Sequence, residues 1–377
     1  MKPQPTPQLR PAVDALPAYV AGRRATSALT EPLASNESHF LPLPAVLSAI
    51  AGAAVRANRY PDMASLSLRD RLAAQFEVDP AEIAVGPGSV GVLAQLIAAL
   101  CDVGDQVIFA WRSFEAYPIL CQIAGAEAVK VPLTADERHD LAAMAAAVTK
   151  RTKVILLCSP NNPTGAGIST AELEEFLAAV PEQVLVVLDE AYREFAADGG
   201  PDSLRLYRLH PNLCLLRTFS KAYGLAGLRV GYAVAHPEIA EGLRRTQIPF
   251  SVSSVAEAAA VAALDSAPDV AKRAAEVILE RERVINAARK LGWTVPDGAA
   301  NFFWLRLDDE RRTQLVEAFS SAEILVRGYA GDGVRITIAG PEANNRVLAV
   351  LADQAGLARP AEDTGPVHVD GQVDVTE

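Results

Sequence analysis

The 377-residue sequence predicts an α/β protein, with a large domain on a mostly parallel sheet flanked by helices and a smaller α+β domain after it. Three observations carry this. Short apolar runs recur without polar alternation, the pattern of strands buried on both faces. Stretches of helical periodicity separate those runs, as crossover connections require. From about residue 256 the texture changes to long amphipathic helices followed by closely spaced short strands. Half of the residues are hydrophobic, enough for a large core divided between two domains.

Residues 1–30 are proline-rich, with an apolar island at Leu16-Pro17-Ala18-Tyr19-Val20, and read as an N-terminal arm. The large domain is placed at 31–255. Within it Ile83-Ala84-Val85 forms a strand, Gly86-Pro87-Gly88-Ser89 a turn, and Val90 to Leu100 a helix. Further strands are read at Gln106-Val107-Ile108-Phe109, Val154 to Cys158, Val184 to Leu188 and Leu213 to Leu216. The small domain is placed at 256–357, joined by part of the arm. It opens with helices at Ala256 to Leu264 and Val270 to Leu291. Strands follow at Phe302 to Leu305, Ile324 to Val326 and Val334 to Ile338. Residues 358–377 are polar with Pro and Gly, a composition that favours a disordered acidic tail.

The formal charge is −11 and the pI about 5.1, with no basic stripe for nucleic acid or an anionic membrane. Five carboxylates against Arg359 give the segment from Gly356 a local net of −4, so the rest of the surface is ordinary. Cys101, Cys121, Cys158 and Cys214 form no CxxC pair and read as structural thiols of a reducing compartment. The five histidines show no ligand spacing, so no metal is expected. The N-terminus lacks a signal-peptide core and no run of 18 apolar residues exists. A cytoplasmic location is expected.

Ligands of open parallel sheets bind beyond the carboxyl ends of the strands, so the residues following each run matter most. Gly86-Pro87-Gly88-Ser89-Val90-Gly91 leads into a helix, whose free N–H groups and dipole suit a phosphate, although such a turn is equally a plain tight turn. Trp111-Arg112-Ser113-Phe114-Glu115-Ala116-Tyr117 clusters aromatics, for ring stacking or for a core. Ser159-Pro160-Asn161-Asn162-Pro163-Thr164-Gly165 is a stiff turn in which an Asn amide can meet a ring hydroxyl. Asp189 follows five apolar residues, where a carboxylate is costly without a cation or donor, unless it caps a helix. Tyr192 lies three residues on. Last comes Thr218-Phe219-Ser220-Lys221-Ala222-Tyr223-Gly224, with Arg229 eight positions after Lys221. An amine at a strand end, amid small residues and near a fixed cation, suits a Schiff base with a phosphorylated aldehyde. A cradle, a stacking ring, an amide, a carboxylate, an amine and a cation together match pyridoxal 5′-phosphate.

Asn161-Asn162-Pro163-Thr164-Gly165, Asp189-Glu190-Ala191-Tyr192 and Ser220-Lys221-Ala222-Tyr223-Gly224-Leu225-Ala226-Gly227-Leu228-Arg229 resemble the class I and II aminotransferases, of the aspartate aminotransferase-like fold (fold type I of pyridoxal-phosphate enzymes). The resemblance runs from about Leu16 to about 350. Leu16-Pro17-Ala18-Tyr19, Ala34-Ser35-Asn36-Glu37 and Tyr60-Pro61-Asp62 are most similar to the histidinol-phosphate aminotransferase subfamily. Val90-Gly91 stands where histidinol-phosphate enzymes usually carry an acidic pair, and Trp111-Arg112-Ser113-Phe114-Glu115 resembles the actinobacterial aromatic (phenylalanine) branch.

The resemblance implies transamination between an aromatic L-amino acid and a 2-oxo acid such as 2-oxoglutarate. Histidinol phosphate is the alternative donor; a decarboxylase or a non-enzymatic regulator on the same fold ranks below it. Lys221 is implied to hold the aldehyde and move the proton, Asp189 to pair with the ring nitrogen, and Tyr192 and Asn161 to meet the ring oxygen. Phe114 is implied to stack on the ring. Gly88, Ser89, Val90, Ser220 and Arg229 are implied to hold the phosphate, with Thr218 also among the cofactor-binding residues. Tyr60 is implied to reach the phosphate of a second subunit in a homodimer. Arg335 is implied to grip the substrate carboxylate, with Asn36 and Tyr19 lining the pocket and Arg327 as a second cation.

Overall fold

The computed structural model describes residues 7–14, 16, 29–197 and 200–358. Tyr19 and the tail from 359 lie outside the described residues. In chain order the strands are β1 (Glu31–Pro32), β2 (Ile83–Gly86), β3 (Gln106–Trp111), β4 (Glu127–Pro132), β5 (Thr152–Cys158) and β6 (Leu185–Asp189). They continue with β7 (Leu213–Thr218), β8 (Gly231–Val234), β9 (Phe302–Arg306), β10 (Ile324–Leu325), β11 (Arg327–Tyr329) and β12 (Gly333–Thr337).

Seven strands form the main sheet in the order β2-β8-β7-β6-β5-β3-β4. All run parallel except β8, which lies antiparallel to both of its neighbours. Alternate residues of each strand feed different cores, as the two-residue period dictates. In β5, Ile155 and Leu157 join one core, while Val154, Leu156 and Cys158 join the other. Both faces are therefore dry, which explains the uninterrupted apolar runs.

The register sets the site. Gly86 pairs with Gly231, Thr218 with Gly231, and Asp189 with both Cys158 and Leu216. The carboxyl ends of β2, β5, β6 and β7 thus lie along one edge. Over it sits a second unit, the antiparallel sheet β11-β12-β9, backed by the helices Ala267–Lys290, Asp309–Ser321 and Pro341–Asp353.

The packing departs from the expected domain bounds at two places. The helix Ser254–Asp265 buries Ala256, Ala259, Ala260, Ala263 and Leu264 in the core of the main sheet, so the small unit begins after Asp265, not at 256. Residues 31–34 do not start the large domain: β1 pairs with β10, and Leu33 enters the small unit's core. Arg335 lies within β12, inside the strand expected at Val334 to Ile338. β4 and β8 are strands of the main sheet beyond those expected. β4 is a half-exposed edge strand, Glu-Ala-Val-Lys-Val-Pro, and β8 is only four residues long.

Candidate active site

A cavity of about 290 Å³ opens where the strand ends meet the small unit. Lys221, Asp189, Tyr192, Ser220, Thr218, Arg229, Ser89, Val90, Phe114, Asn36 and Arg335 all line it, although they derive from segments far apart in sequence.

The turn after β2 has features that suit an anion. The helix Gly88–Leu100 starts there, presenting its unpaired N–H groups and positive dipole end. Gly88 has φ +78°, and a Cβ on it would lie 2.2 Å from Arg229 Nη2. Only glycine lets the guanidinium sit against this helix end. Arg229 Nη1 also donates to Ser220 Oγ at 3.2 Å, and Thr218 Oγ1 to the same oxygen at 3.0 Å. Gly88 itself supports this cradle without lining the cavity.

Asp189 ends β6 and is buried. Tyr117 Oη donates to its Oδ2 at 2.7 Å, and the Ala191 N–H to Oδ1 at 3.2 Å. Burial pushes its pKa up to about 6 against the pull of these donors. The neighbouring Glu190 is a useful contrast. It is equally buried, yet Arg217 and Arg193 sit at 2.8 Å and hold its pKa below the ordinary carboxylate value, against the cost of its own burial. Among the described residues no cation pairs with Asp189. Its cavity-facing side is ready for a positively charged N–H.

Lys221 Nζ donates to the Ser35 carbonyl at 2.9 Å and lies 5.8 Å from the Tyr192 ring centre. Burial, then Arg335, pulls its pKa down to about 7; Glu37 opposes and Arg229 assists. A large share of this amine is therefore neutral at physiological pH, as a nucleophile or base must be. The same shift has a cost in stability. Between pH 7 and the usual lysine value of 10.5, the unfolded chain binds a proton that the folded chain excludes, so this group's penalty grows as pH falls and levels off below 7. The melting temperature of Lys221→Ala, relative to the native chain, should rise between pH 10.5 and pH 7. A pH-independent difference would contradict the shift.

Arg335 is 6% exposed and reaches the cavity from β12. Its Nη1 donates to Asn162 Oδ1 and its Nη2 to the Ala34 carbonyl, both at 2.5 Å. Nε has no partner, and among the described residues no carboxylate neutralises the guanidinium. A buried cation without a counter-charge is costly, so this one is placed to receive an anion. Asn36 has φ +54°, donates to Tyr192 Oη at 3.0 Å and accepts from Thr337 Oγ1 at 3.1 Å. It ties Tyr192 to β12.

Asn161 does not meet the expectation placed on it. Its Oδ1 accepts from Ser113 Oγ at 2.8 Å, and its Nδ2 donates to Thr164 Oγ1 at 3.0 Å and to the Arg112 carbonyl at 3.2 Å. It braces the turn from inside and does not line the cavity; Asn162 does. Tyr60 is 82% exposed, stacks on Phe250 at 4.6 Å, and lies outside its own chain's cavity. Tyr117 belongs to the aromatic cluster expected for ring stacking or core, but the service of its hydroxyl to Asp189 is not legible in the sequence. Its spacing of three from Phe114 was the available clue, and the two rings meet edge-on at 5.5 Å.

The cavity thus offers a cradle that suits an anion, a carboxylate with no cation beside it among the described residues, a partly neutral amine and a guanidinium with no counter-charge among them. Residues and geometry fit pyridoxal 5′-phosphate plus a substrate carboxylate. Among the described residues no cluster suits a metal, and no helix is long and apolar enough to cross a membrane.

Comparison with known proteins agrees. The family model for aminotransferase class I and II matches residues 31–350. The aromatic amino acid aminotransferase of Streptomyces coelicolor is 51% identical over 348 residues, covering 92% of this chain and 97% of that protein. The protein of the same description from Rhodococcus erythropolis is 51% identical over 344 residues, covering 91% and 95%. Histidinol-phosphate aminotransferase from Sinorhizobium meliloti, solved with pyridoxal 5′-phosphate, superposes with a TM-score of 0.85 at 30% identity, covering 93% of this chain and 98% of that one. A Thermus thermophilus aspartate aminotransferase variant shares the fold at a TM-score of 0.80 and 24% identity, covering 93% and 100%.

Proposed function

The chain belongs to the class I and II aminotransferases, and from that premise we propose that it moves an amino group between an aromatic L-amino acid and a 2-oxo acid such as 2-oxoglutarate. The observation that carries the chemistry is the convergence of Lys221, Asp189 and the unpaired Arg335 on one cavity. The aromatic preference draws on the relatives at about half identity and on the apolar part of the lining, Val90, Phe114, Tyr192 and Tyr329. Histidinol phosphate, the substrate in the name of the S. meliloti protein, is the second reading.

Pyridoxal 5′-phosphate, when bound, supplies an aldehyde carbon that takes the amino group and an aromatic ring that takes up the electron pair left on the substrate Cα. Arg229, Ser220, Thr218 and the first turn of the helix Gly88–Leu100 would hold its phosphate. Asp189 would pair with its ring nitrogen, Tyr192 and Asn162 would face its ring oxygen, and Phe114 would lie against the ring. Arg335 orients the substrate through its carboxylate. Lys221 Nζ then takes the proton from Cα and returns it on the other side of the transfer. The sheet edge and β12 hold these groups in fixed relation, so little ordering remains for the bound state. Tyr60, exposed in one chain, is assigned to the phosphate site of a second copy in a homodimer. A cytoplasmic setting belongs to this reading and suits the unpaired cysteines.

Two outcomes follow. Gly88→Ala drives a methyl group into Arg229 and strains a φ of +78°, so cofactor affinity should fall at least about tenfold; equilibrium dialysis reads this, and unchanged affinity would remove Gly88 from the cradle. Tyr117→Phe takes away a donor that lowers the Asp189 pKa. The acid limb of cofactor binding should move to higher pH, and binding should weaken about tenfold. A limb that stays in place would mean the phenol does not act on Asp189. The reading itself is tested by turnover: phenylalanine with 2-oxoglutarate should give phenylpyruvate and glutamate in equal amounts. Release of carbon dioxide instead would mark a decarboxylase.

A further inference from the structure

Two arginines face each other across the wall of the cavity. Arg327 of β11 and Arg335 of β12 are direct cross-strand partners, and both line the cavity. Opposed side chains in such a pair lie about 5 Å apart at Cβ, where like charges repel. The two cations are treated differently. Arg335 has no carboxylate among the described residues. Arg327 Nη2 donates to Glu115 Oε2 at 2.7 Å, with the side chains only 13% and 29% exposed. Glu115 reaches across from the large domain, at the start of the helix Ala116–Ala124, and also lines the cavity. It makes no capping hydrogen bond to that helix, so its carboxylate is spent on Arg327.

We propose that Glu115 is a specificity-determining residue: by neutralising Arg327 it leaves Arg335 as the cavity's cation for the α-carboxylate and favours substrates that bring a single α-carboxylate and no further negative charge. The proposal rests on the aromatic-substrate reading and deepens it. A bare guanidinium would disfavour an apolar ring entering beside it and would attract a phosphate or a distal carboxylate. With the pair formed, a distal carboxylate, or the larger, more highly charged phosphate that histidinol phosphate carries in place of the α-carboxylate, must displace Glu115 to reach Arg327. That competition weakens histidinol phosphate, glutamate and 2-oxoglutarate relative to phenylalanine.

The test uses the cofactor-loaded full chain with Glu115→Gln. Two ratios are measured: kcat/KM for histidinol phosphate over that for phenylalanine, and the affinity for glutarate over that for 3-phenylpropionate, two non-reacting mimics. Both should rise at least about tenfold, and KM for 2-oxoglutarate should fall. Glu115→Asp, which keeps the charge on a shorter arm, should lie between. Arg327→Met should displace both ratios in the opposite direction, which keeps the idea testable if Glu115→Gln folds poorly. Ratios within twofold of the native chain in both variants would overturn the proposal. If the native chain failed to turn over phenylalanine, the aromatic reading would fall, while the mimic ratio would still report on Glu115.

Discussion

Replacing Lys221 with alanine should lower transamination by at least about 10⁴-fold, because one amine serves both as the cofactor's attachment and as the base at Cα. The geometry leaves no substitute. Among the described residues Lys221 is the lysine that lines the cavity, and the other nitrogen cations there are the guanidinium groups of Arg229, Arg327 and Arg335, which are poor bases and nucleophiles. Two accompanying readouts separate chemistry from folding. Borohydride reduction should fix cofactor mass on the native chain at residue 221 and not on the variant. The variant should still bind pyridoxal 5′-phosphate reversibly, since Arg229, Ser220 and the helix end remain. Turnover near the native rate would end the assignment of Lys221.

Loss of the Arg335 guanidinium is the second large effect. Arg335→Ala should raise KM for amino acids about 10²- to 10³-fold, the scale of truncating one partner of a buried charge pair. Arg335→Lys should recover little. The guanidinium fork simultaneously meets Asn162 Oδ1 and the Ala34 carbonyl, and a single ammonium cannot do that while gripping a carboxylate. The variant should also leave Lys221 with a higher pKa, since Arg335 is the charge that lowers it most. The pH at which the cofactor-free chain captures the aldehyde should rise accordingly. Unchanged KM in steady-state kinetics would take Arg335 out of the site.

These residues were legible in sequence to different degrees, for physical reasons. Asp189, Lys221 and Ser89 each follow a run buried on both faces, so the strand that presents them announces itself. Asn161 and Asn162 are neighbours in one stiff turn; only the folded turn shows that the first faces Ser113 and Thr164 and the second faces Arg335. Tyr117 is hidden because a buried aromatic on a helix looks the same whether or not its hydroxyl serves a carboxylate. The Glu115–Arg327 pair spans two domains and leaves no local pattern. The helix Ser254–Asp265 is alanine-rich, and small side chains give no hint of which core they enter. β8 is short and runs against its neighbours, yet Gly231 is what admits the turn of Gly88 and Ser89: a Cβ there would lie 2.4 Å from the Ser89 nitrogen.

This cavity should take its amino group from an aromatic donor. Single-turnover mixing of the cofactor-loaded chain with phenylalanine or with histidinol phosphate, without acceptor, tests it most directly. The yellow absorbance of the bound cofactor should bleach quickly with phenylalanine and slowly with histidinol phosphate. Fast bleaching by histidinol phosphate with none by phenylalanine would contradict the account.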